Sequence, residues 1–67
     1  MTIELYDQII GKVFLVPEAI GVIPQGCRIY CFAETEEYIR CFTSMDICGT
    51  RYLNLHRDQI RKLVLLN

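Results

Sequence analysis

The chain has 67 residues, of which 52% are hydrophobic and 22% charged, and its formal net charge is −1. A chain of this length predicts a single small domain over residues 1–67, with one core and little room for a catalytic pocket of roughly 300 Å³ or more. The nearly neutral charge argues against a general binder of polyanions.

The N-terminal third predicts one strand and one long loop. Residues 2–8 fit either a strand or a helical turn, and we favour an extended start. Residues 9–16 are rich in β-branched and apolar side chains and are followed by Pro17, which favours a first strand. The loop Pro17–Gly26 contains Ile20, Val22 and Ile23, and because exposure of such side chains to water is costly, we expect the loop to fold back onto the body.

The middle of the chain predicts a β-hairpin. Residues 28–33 and 38–43 alternate as strands around the polar loop 34–37. A turn at residues 35–37 places Cys31 opposite Cys41 and Ala33 opposite Ile39. The other face then carries Tyr30, Phe32, Tyr38, Arg40 and Phe42. Both faces are apolar, as in a sheet that curls into a barrel.

The C-terminal third predicts a turn, a strand, a helical turn and a last strand. Residues 46–49 form the turn, and residues 51–55 alternate, with Tyr52 and Asn54 on one face. Residues 56–59 form a single helical turn, and residues 60–66 return as a strand. The alternative is one helix over residues 58–66, in which Ile60, Leu63 and Val64 have helical spacing.

This order of elements resembles the Src-homology-3-like (SH3-like) barrel. The resemblance covers residues 9–66, with residues 12–16 as the first strand, 17–26 as its long loop and 48–49 as the distal turn. It implies an all-β fold, a small five-stranded SH3-like barrel with one short helical turn before the last strand. The chain has no Trp and its long loop has one acidic residue, Glu18, so the proline-peptide groove of the eukaryotic branch is not expected. A bacterial or bacteriophage variant, acting as a small adaptor or inhibitor, fits better.

A second, shorter resemblance concerns residues 55–60, which look like the strand-to-helix junction of the carbon storage regulators. These are small RNA-binding dimers of similar length. The N-terminal strand and the glycine–acidic turn of that family are absent here.

Four cysteines, Cys27, Cys31, Cys41 and Cys48, raise the question of a metal or disulfide. A secretory signal is not evident, so we expect reduced thiols in a cytoplasmic protein without membrane contact. Cys31 and Cys41 lie inside predicted strands and not in the turns that zinc knuckles use, so no metal and no cofactor is expected. With one His56 and no catalytic spacing, we expect no enzyme.

The binding residues that we nominate are Tyr38, Arg40, Glu36, Glu37, Tyr52 and Arg51. Tyr and Arg are enriched at protein–protein hot spots, and the two glutamates form an acidic tip beside them. Phe32 and Phe42 share this face, but we expect these two side chains to be core. The pattern favours a protein-binding module.

Two alternative functions are considered, and the uneven distribution of charge along the chain supports the first of them. Residues 1–46 carry seven acidic and three basic side chains, whereas residues 47–67 carry one acidic and four basic ones. Arg51, Arg57, Arg61 and Lys62 in this basic third would suit a nucleic-acid-binding regulator. A homo-oligomer that sequesters a small ligand between subunits is the third possibility, because small domains gain stability from assembly.

Overall fold

The computed structural model describes residues 9–66 and shows an all-β arrangement of five antiparallel strands with one short helix before the last strand. The order across the sheet is β4-β3-β2-β1-β5, so β4 and β5 lie at its two ends. The elements are β1 (Val13–Leu15), β2 (Arg28–Glu34), β3 (Ile39–Ile47), β4 (Thr50–Leu55), α1 (Arg57–Ile60) and β5 (Val64–Leu65). The extended start that we favoured for residues 2–8 lies outside the described residues.

Strands β2 and β3 form the centre of the sheet. Cys31 pairs with Cys41, as the sequence predicts, but Ala33 pairs with Arg40 and not with Ile39. The register shifts between Cys31 and Ala33, because a bulge at Phe32 adds one residue to β2. Alternation in β2 and β3 buries one face: Ile29, Cys31, Ile39 and Cys41 have no exposed surface.

The loop 17–26 folds back through a bridge between Ile20 and Ile23, whose backbone groups exchange two hydrogen bonds of 2.9 Å. Ile23 joins the core, and Ile20 packs against it. The expectation that the loop buries its apolar residues is wrong for Val22, which is 68% exposed. Val22 lies at the tip between the two bridging residues, where its side chain points away from the body.

Strands β3 and β4 are joined by a two-residue turn. Cys48 and Gly49 both have positive φ values, of 54° and 86°, and Ile47 pairs with Thr50 across them. Two consecutive positive φ values are the geometry of a type I′ turn, whose twist matches that of the flanking strands. The turn is therefore shorter than the predicted residues 46–49, because β3 continues through Ile47.

The C-terminal segment contains a shorter strand than predicted. Helix α1 ends at Ile60, and the chain turns through hydrogen bonds from Lys62 to Gln59 and from Leu63 to Ile60. Only Val64–Leu65 then pairs with β1. The predicted strand over residues 60–66 and the alternative helix over residues 58–66 are both wrong in extent, because one helical turn and one reverse turn occupy residues 57–63.

Candidate interaction surface

The outward face of β2, β3 and β4 exposes four aromatic side chains. Alternation that buries Cys31 and Cys41 turns their neighbours to the opposite face. Tyr52 is 61% exposed, Tyr30 43%, Phe32 37% and Phe42 36%. We call these four residues the aromatic patch. A cluster of large apolar rings on the surface of a small domain is a mark of an interaction site.

Strand register places three of these rings in one line across the sheet. Tyr30 lies opposite Phe42, and Phe42 lies opposite Tyr52. On the other side of Tyr30, the line continues to Val13 on β1 and to Leu66, whose backbone N–H donates to the Val13 carbonyl at 2.8 Å. An apolar row thus crosses the strands at the spacing of the sheet, about 4.8 Å per strand.

Edge-to-face ring contacts hold the patch together. The ring centroids of Phe42 and Tyr52 are 5.2 Å apart at an interplanar angle of 62°, and those of Phe32 and Tyr52 are 6.1 Å apart at 87°. The four rings line a shallow, open depression of about 340 Å³. Its size and apolar walls suit one apolar side chain of a partner, inserted between rings that already support one another.

The expectation that Phe32 and Phe42 belong to the core is wrong. Both rings lie on the outward face with Tyr30 and Tyr52. The alternation of side chains correctly placed Phe32 and Phe42 on the same face as Tyr30. Because both faces of the hairpin are apolar, the alternation did not show which of the two faces is buried. The small Cys31 and Cys41 side chains take the inward positions.

Two arginines flank the aromatic patch at opposite ends. Arg28 precedes Tyr30 by two residues on β2, and Arg40 precedes Phe42 by two residues on β3, so both project from the outward face. Within residues 9–66, neither guanidinium forms an ion pair with a carboxylate. Sequence reasoning selected Arg40 and missed Arg28, although the alternation of β2 would have placed Arg28 on the same face as Tyr30.

The structure brings three of the nominated residues onto this face. Arg40 on β3 and Tyr52 on β4 lie on the outward side of the sheet. Tyr38 immediately precedes β3, and its ring contacts His56 with centroids 4.9 Å apart. Glu36 and Glu37 are exposed on the loop between β2 and β3, beyond Tyr38.

Arg51, the sixth nominated residue, directly precedes Tyr52 on β4 and lies near the β3–β4 turn. Its Nε is 3.5 Å from an Asp46 carboxylate oxygen. It is therefore partnered within the chain and is not one of the two arginines that flank the aromatic patch.

Three of the four basic residues in the C-terminal third form ion pairs with carboxylates of the chain. Besides Arg51, Arg57 contacts Glu34 at 2.6 Å and Arg61 contacts Asp58 at 3.7 Å. Arg57 also donates to the carbonyls of Glu36 and Thr35, so its guanidinium holds the β2–β3 loop. Pairing with carboxylates reduces the positive potential that a nucleic acid would meet here.

All four cysteines are free thiols; Cys27, Cys31 and Cys41 are buried and Cys48 is exposed. The Sγ atoms of Cys31 and Cys41 are 3.9 Å apart. Their hydrogen bond and then burial raise the pKa of the Cys41 thiol, whereas the same hydrogen bond lowers the pKa of Cys31 against the opposing effect of burial. Among residues 9–66, no group of three or more His, Cys, Asp or Glu side chains is placed to hold a metal ion.

Two other depressions lie near the 17–26 loop. One, of about 560 Å³, is bounded by Pro17–Gly21 and Lys62. The other, of about 410 Å³, lies between Ile20–Ile23 and strand β4. The second is lined by several apolar side chains, among them Ile20, Val22 and Leu53, but the lining of neither depression includes an aromatic ring or an arginine.

Comparison with known proteins identifies no relative: no protein-family model, no curated protein and no solved structure matches the chain. No helix within residues 9–66 has the length and apolar composition needed to cross a bilayer.

Proposed function

We propose that this chain is a small non-enzymatic binding module of the cytoplasm that docks a protein partner on the aromatic patch. The observation that carries the proposal is the exposed line Tyr30–Phe42–Tyr52 with Arg40 beside it. Tyr and Arg dominate protein–protein hot spots, because each combines a large contact area with a polar or charged group.

The proposal includes an SH3-like barrel of bacterial or bacteriophage type that acts as an adaptor or inhibitor. The strand order β4-β3-β2-β1-β5 and the helical turn before the last strand support it. A non-enzymatic role fits the lining of the aromatic patch, which is formed by the rings of Tyr30, Phe32, Phe42 and Tyr52.

The test is affinity purification from the cells that produce the protein, with three tagged forms compared. We expect Tyr52→Ser to lose the principal partner that the wild type retains. Val22→Ser is the matched control, because it also removes an exposed apolar side chain but lies on the 17–26 loop. Circular dichroism of each form confirms that the fold is kept. Equal recovery of the same partner by Tyr52→Ser and the wild type would contradict the proposal.

Single-stranded nucleic acid is a second candidate, supported by the combination of exposed rings and Arg40 on adjacent strands, on which bases can stack. The ion pairs of Arg51, Arg57 and Arg61 disfavour it. Binding of a labelled oligonucleotide that weakens steeply between about 50 and 200 mM salt would support this candidate over a protein partner.

A further inference from the structure

The two arginines of the outward face define the chemistry of the partner that the aromatic patch accepts. We propose that the patch binds an extended acidic segment of a protein, in which one apolar side chain is flanked by a carboxylate two residues before it and another two residues after it. This inference rests on the proposed protein-binding function and adds the chemical class of the bound segment.

The first step is the position of the arginines relative to the rings. Tyr30 pairs with Phe42, and Ile29 pairs with Thr43, so Arg28 is level with Ser44. The Arg28 backbone N–H donates to Ser44 Oγ at 2.9 Å, which agrees with this alignment. Arg40 lies on the other side of Phe42 along β3, so the two arginines stand at opposite ends of the patch.

The second step is the distance between them. Residues 40 and 44 are four residues apart on β3, which is about 13 Å along a strand, and one strand spacing of about 4.8 Å separates β2 from β3. The Cα atoms of Arg28 and Arg40 are therefore about 14 Å apart, with the ring depression between them. An extended segment covers about the same distance in four residues.

The third step is the alternation of side chains in an extended segment. Residues i, i+2 and i+4 of such a segment project to one side. A carboxylate at i, an apolar ring at i+2 and a carboxylate at i+4 then meet Arg28, the depression and Arg40 in either direction of the segment. Guanidinium–carboxylate hydrogen bonds fix this spacing, because each is directional.

On strands β2 and β3, the carboxylates nearest to Arg28 and Arg40 are paired with other arginines. Glu34 is the acidic residue of β2 nearest to Arg40 in the register, but its carboxylate accepts from Arg57 at 2.6 Å. Asp46, on β3 beyond Ser44, pairs with Arg51. The carboxylates that neighbour the patch on these two strands are thus already engaged, which leaves Arg28 and Arg40 for an incoming acid.

The probe is an acetylated and amidated heptapeptide, Gly-Asp-Ser-Phe-Ser-Asp-Gly, titrated into the 67-residue chain labelled with nitrogen-15. We expect amide shift changes centred on Arg28, Tyr30, Arg40, Phe42 and Tyr52. Two control peptides separate the effect of the negative charge from the effect of its spacing. Replacement of both aspartates by asparagine removes the charge, and Gly-Ser-Asp-Phe-Asp-Ser-Gly keeps the composition but turns both carboxylates to the side opposite the ring.

Protein variants complete the test. We expect Arg28→Ala and Arg40→Ala each to weaken binding of the heptapeptide about two- to fivefold, as for an exposed ion pair, and Tyr52→Ala to weaken it about tenfold. Lys62→Ala is the control, because Lys62 is a cation that borders the depression beside the 17–26 loop and not the aromatic patch, and it should leave the dissociation constant within about twofold of that of the wild type.

Several outcomes overturn the inference. No shift at millimolar peptide, or equal binding of either control peptide, would contradict the acidic spacing. Tighter binding of an oligothymidine than of the heptapeptide at the same amides would assign the patch to nucleic acid. A concentration-dependent dimer that Tyr52→Ala dissolves would assign it to a second copy of the chain. If the peptide fails while partner recovery still depends on Tyr52, the acidic-segment inference fails and the proposed protein-binding function stands.

Discussion

Phe42 and Tyr52 lie directly opposite each other on β3 and β4 with ring centroids 5.2 Å apart, and both rings remain more than a third exposed. Such a pair is the usual unit of stabilisation in an antiparallel sheet. Here it also forms part of a solvent-facing surface that contains Tyr30 and Phe32. The two roles are separable by experiment, because stability depends on the contact between the rings and binding depends on the surface that they present.

The contact between Phe42 and Tyr52 predicts a coupling energy. In a double-mutant cycle of Phe42→Ala and Tyr52→Ala, measured by urea unfolding, we expect the two changes to be non-additive by about 0.5–1 kcal/mol. The control cycle pairs Phe42→Ala with Tyr38→Ala, which lies four residues before Phe42 and about 13 Å away in extended backbone. It should be additive within about 0.5 kcal/mol. Equal coupling in both cycles would contradict the ring contact.

The contacts of Arg57 predict that its side chain stabilises the fold by more than one exposed ion pair would. Its guanidinium contacts the Glu34 carboxylate and the carbonyls of Glu36 and Thr35. We expect Arg57→Ala to lower the free energy of unfolding by about 1–2 kcal/mol, because partly shielded hydrogen bonds to a charged group are lost. Arg51→Ala, which removes one exposed ion pair, should cost no more than about 0.5 kcal/mol. Similar losses in the two variants would show that Arg57 does not anchor the loop.

The β3–β4 turn predicts a stabilising substitution. Cys48 adopts a φ of 54°, a conformation that costs most residues other than glycine and asparagine about 1 kcal/mol. Asn followed by Gly is the preferred pair of a type I′ turn. Cys48→Asn should therefore raise the free energy of unfolding by about 0.5–1 kcal/mol and the melting temperature by about 2–8 °C. A lower melting temperature would mean that the turn has another geometry in solution.

The accessibility of the four thiols predicts that they differ sharply in their rate of reaction with a thiol reagent. A disulfide reagent such as DTNB should label one thiol of the native protein quickly and all four in urea, because Cys48 is exposed and the other three are buried. For Cys41 the raised pKa further suppresses the reactive thiolate. Cys48→Ser should abolish the fast phase. Two or more fast thiols in the wild type would contradict the burial of Cys27, Cys31 and Cys41.

Sequence periodicity predicted the all-β fold and the pairing of Cys31 with Cys41, because alternation and a short polar loop together define a hairpin. It did not predict the bulge at Phe32, since one inserted residue leaves the alternation almost intact while it shifts the pairing of Ala33 from Ile39 to Arg40. The exposed location of Phe42 was missed for a different reason: in a hairpin with two apolar faces, only the rest of the fold determines which face is covered.

The candidate surface was predicted in part. Tyr38 and Arg40 share a face because they lie two residues apart, which the sequence shows directly. Tyr52 joins them through the register of β4 on β3, in which it pairs with Phe42. The engagement of Arg57 with Glu34 joins residues 23 apart in the chain, and no local pattern reveals such a pair. The basic C-terminal third therefore looked more available to a polyanion in the sequence than it is in the folded chain.

The most direct test of the binding surface is photo-crosslinking in the cells that produce the protein, with benzoylphenylalanine placed at position 52 or, as a control, at position 22. Tyr52 and Val22 are both more than half exposed, but only Tyr52 belongs to the aromatic patch. We expect a discrete covalent adduct with one protein from position 52 and none from position 22. No adduct from position 52, or the same adduct from both positions, would contradict docking on the aromatic patch.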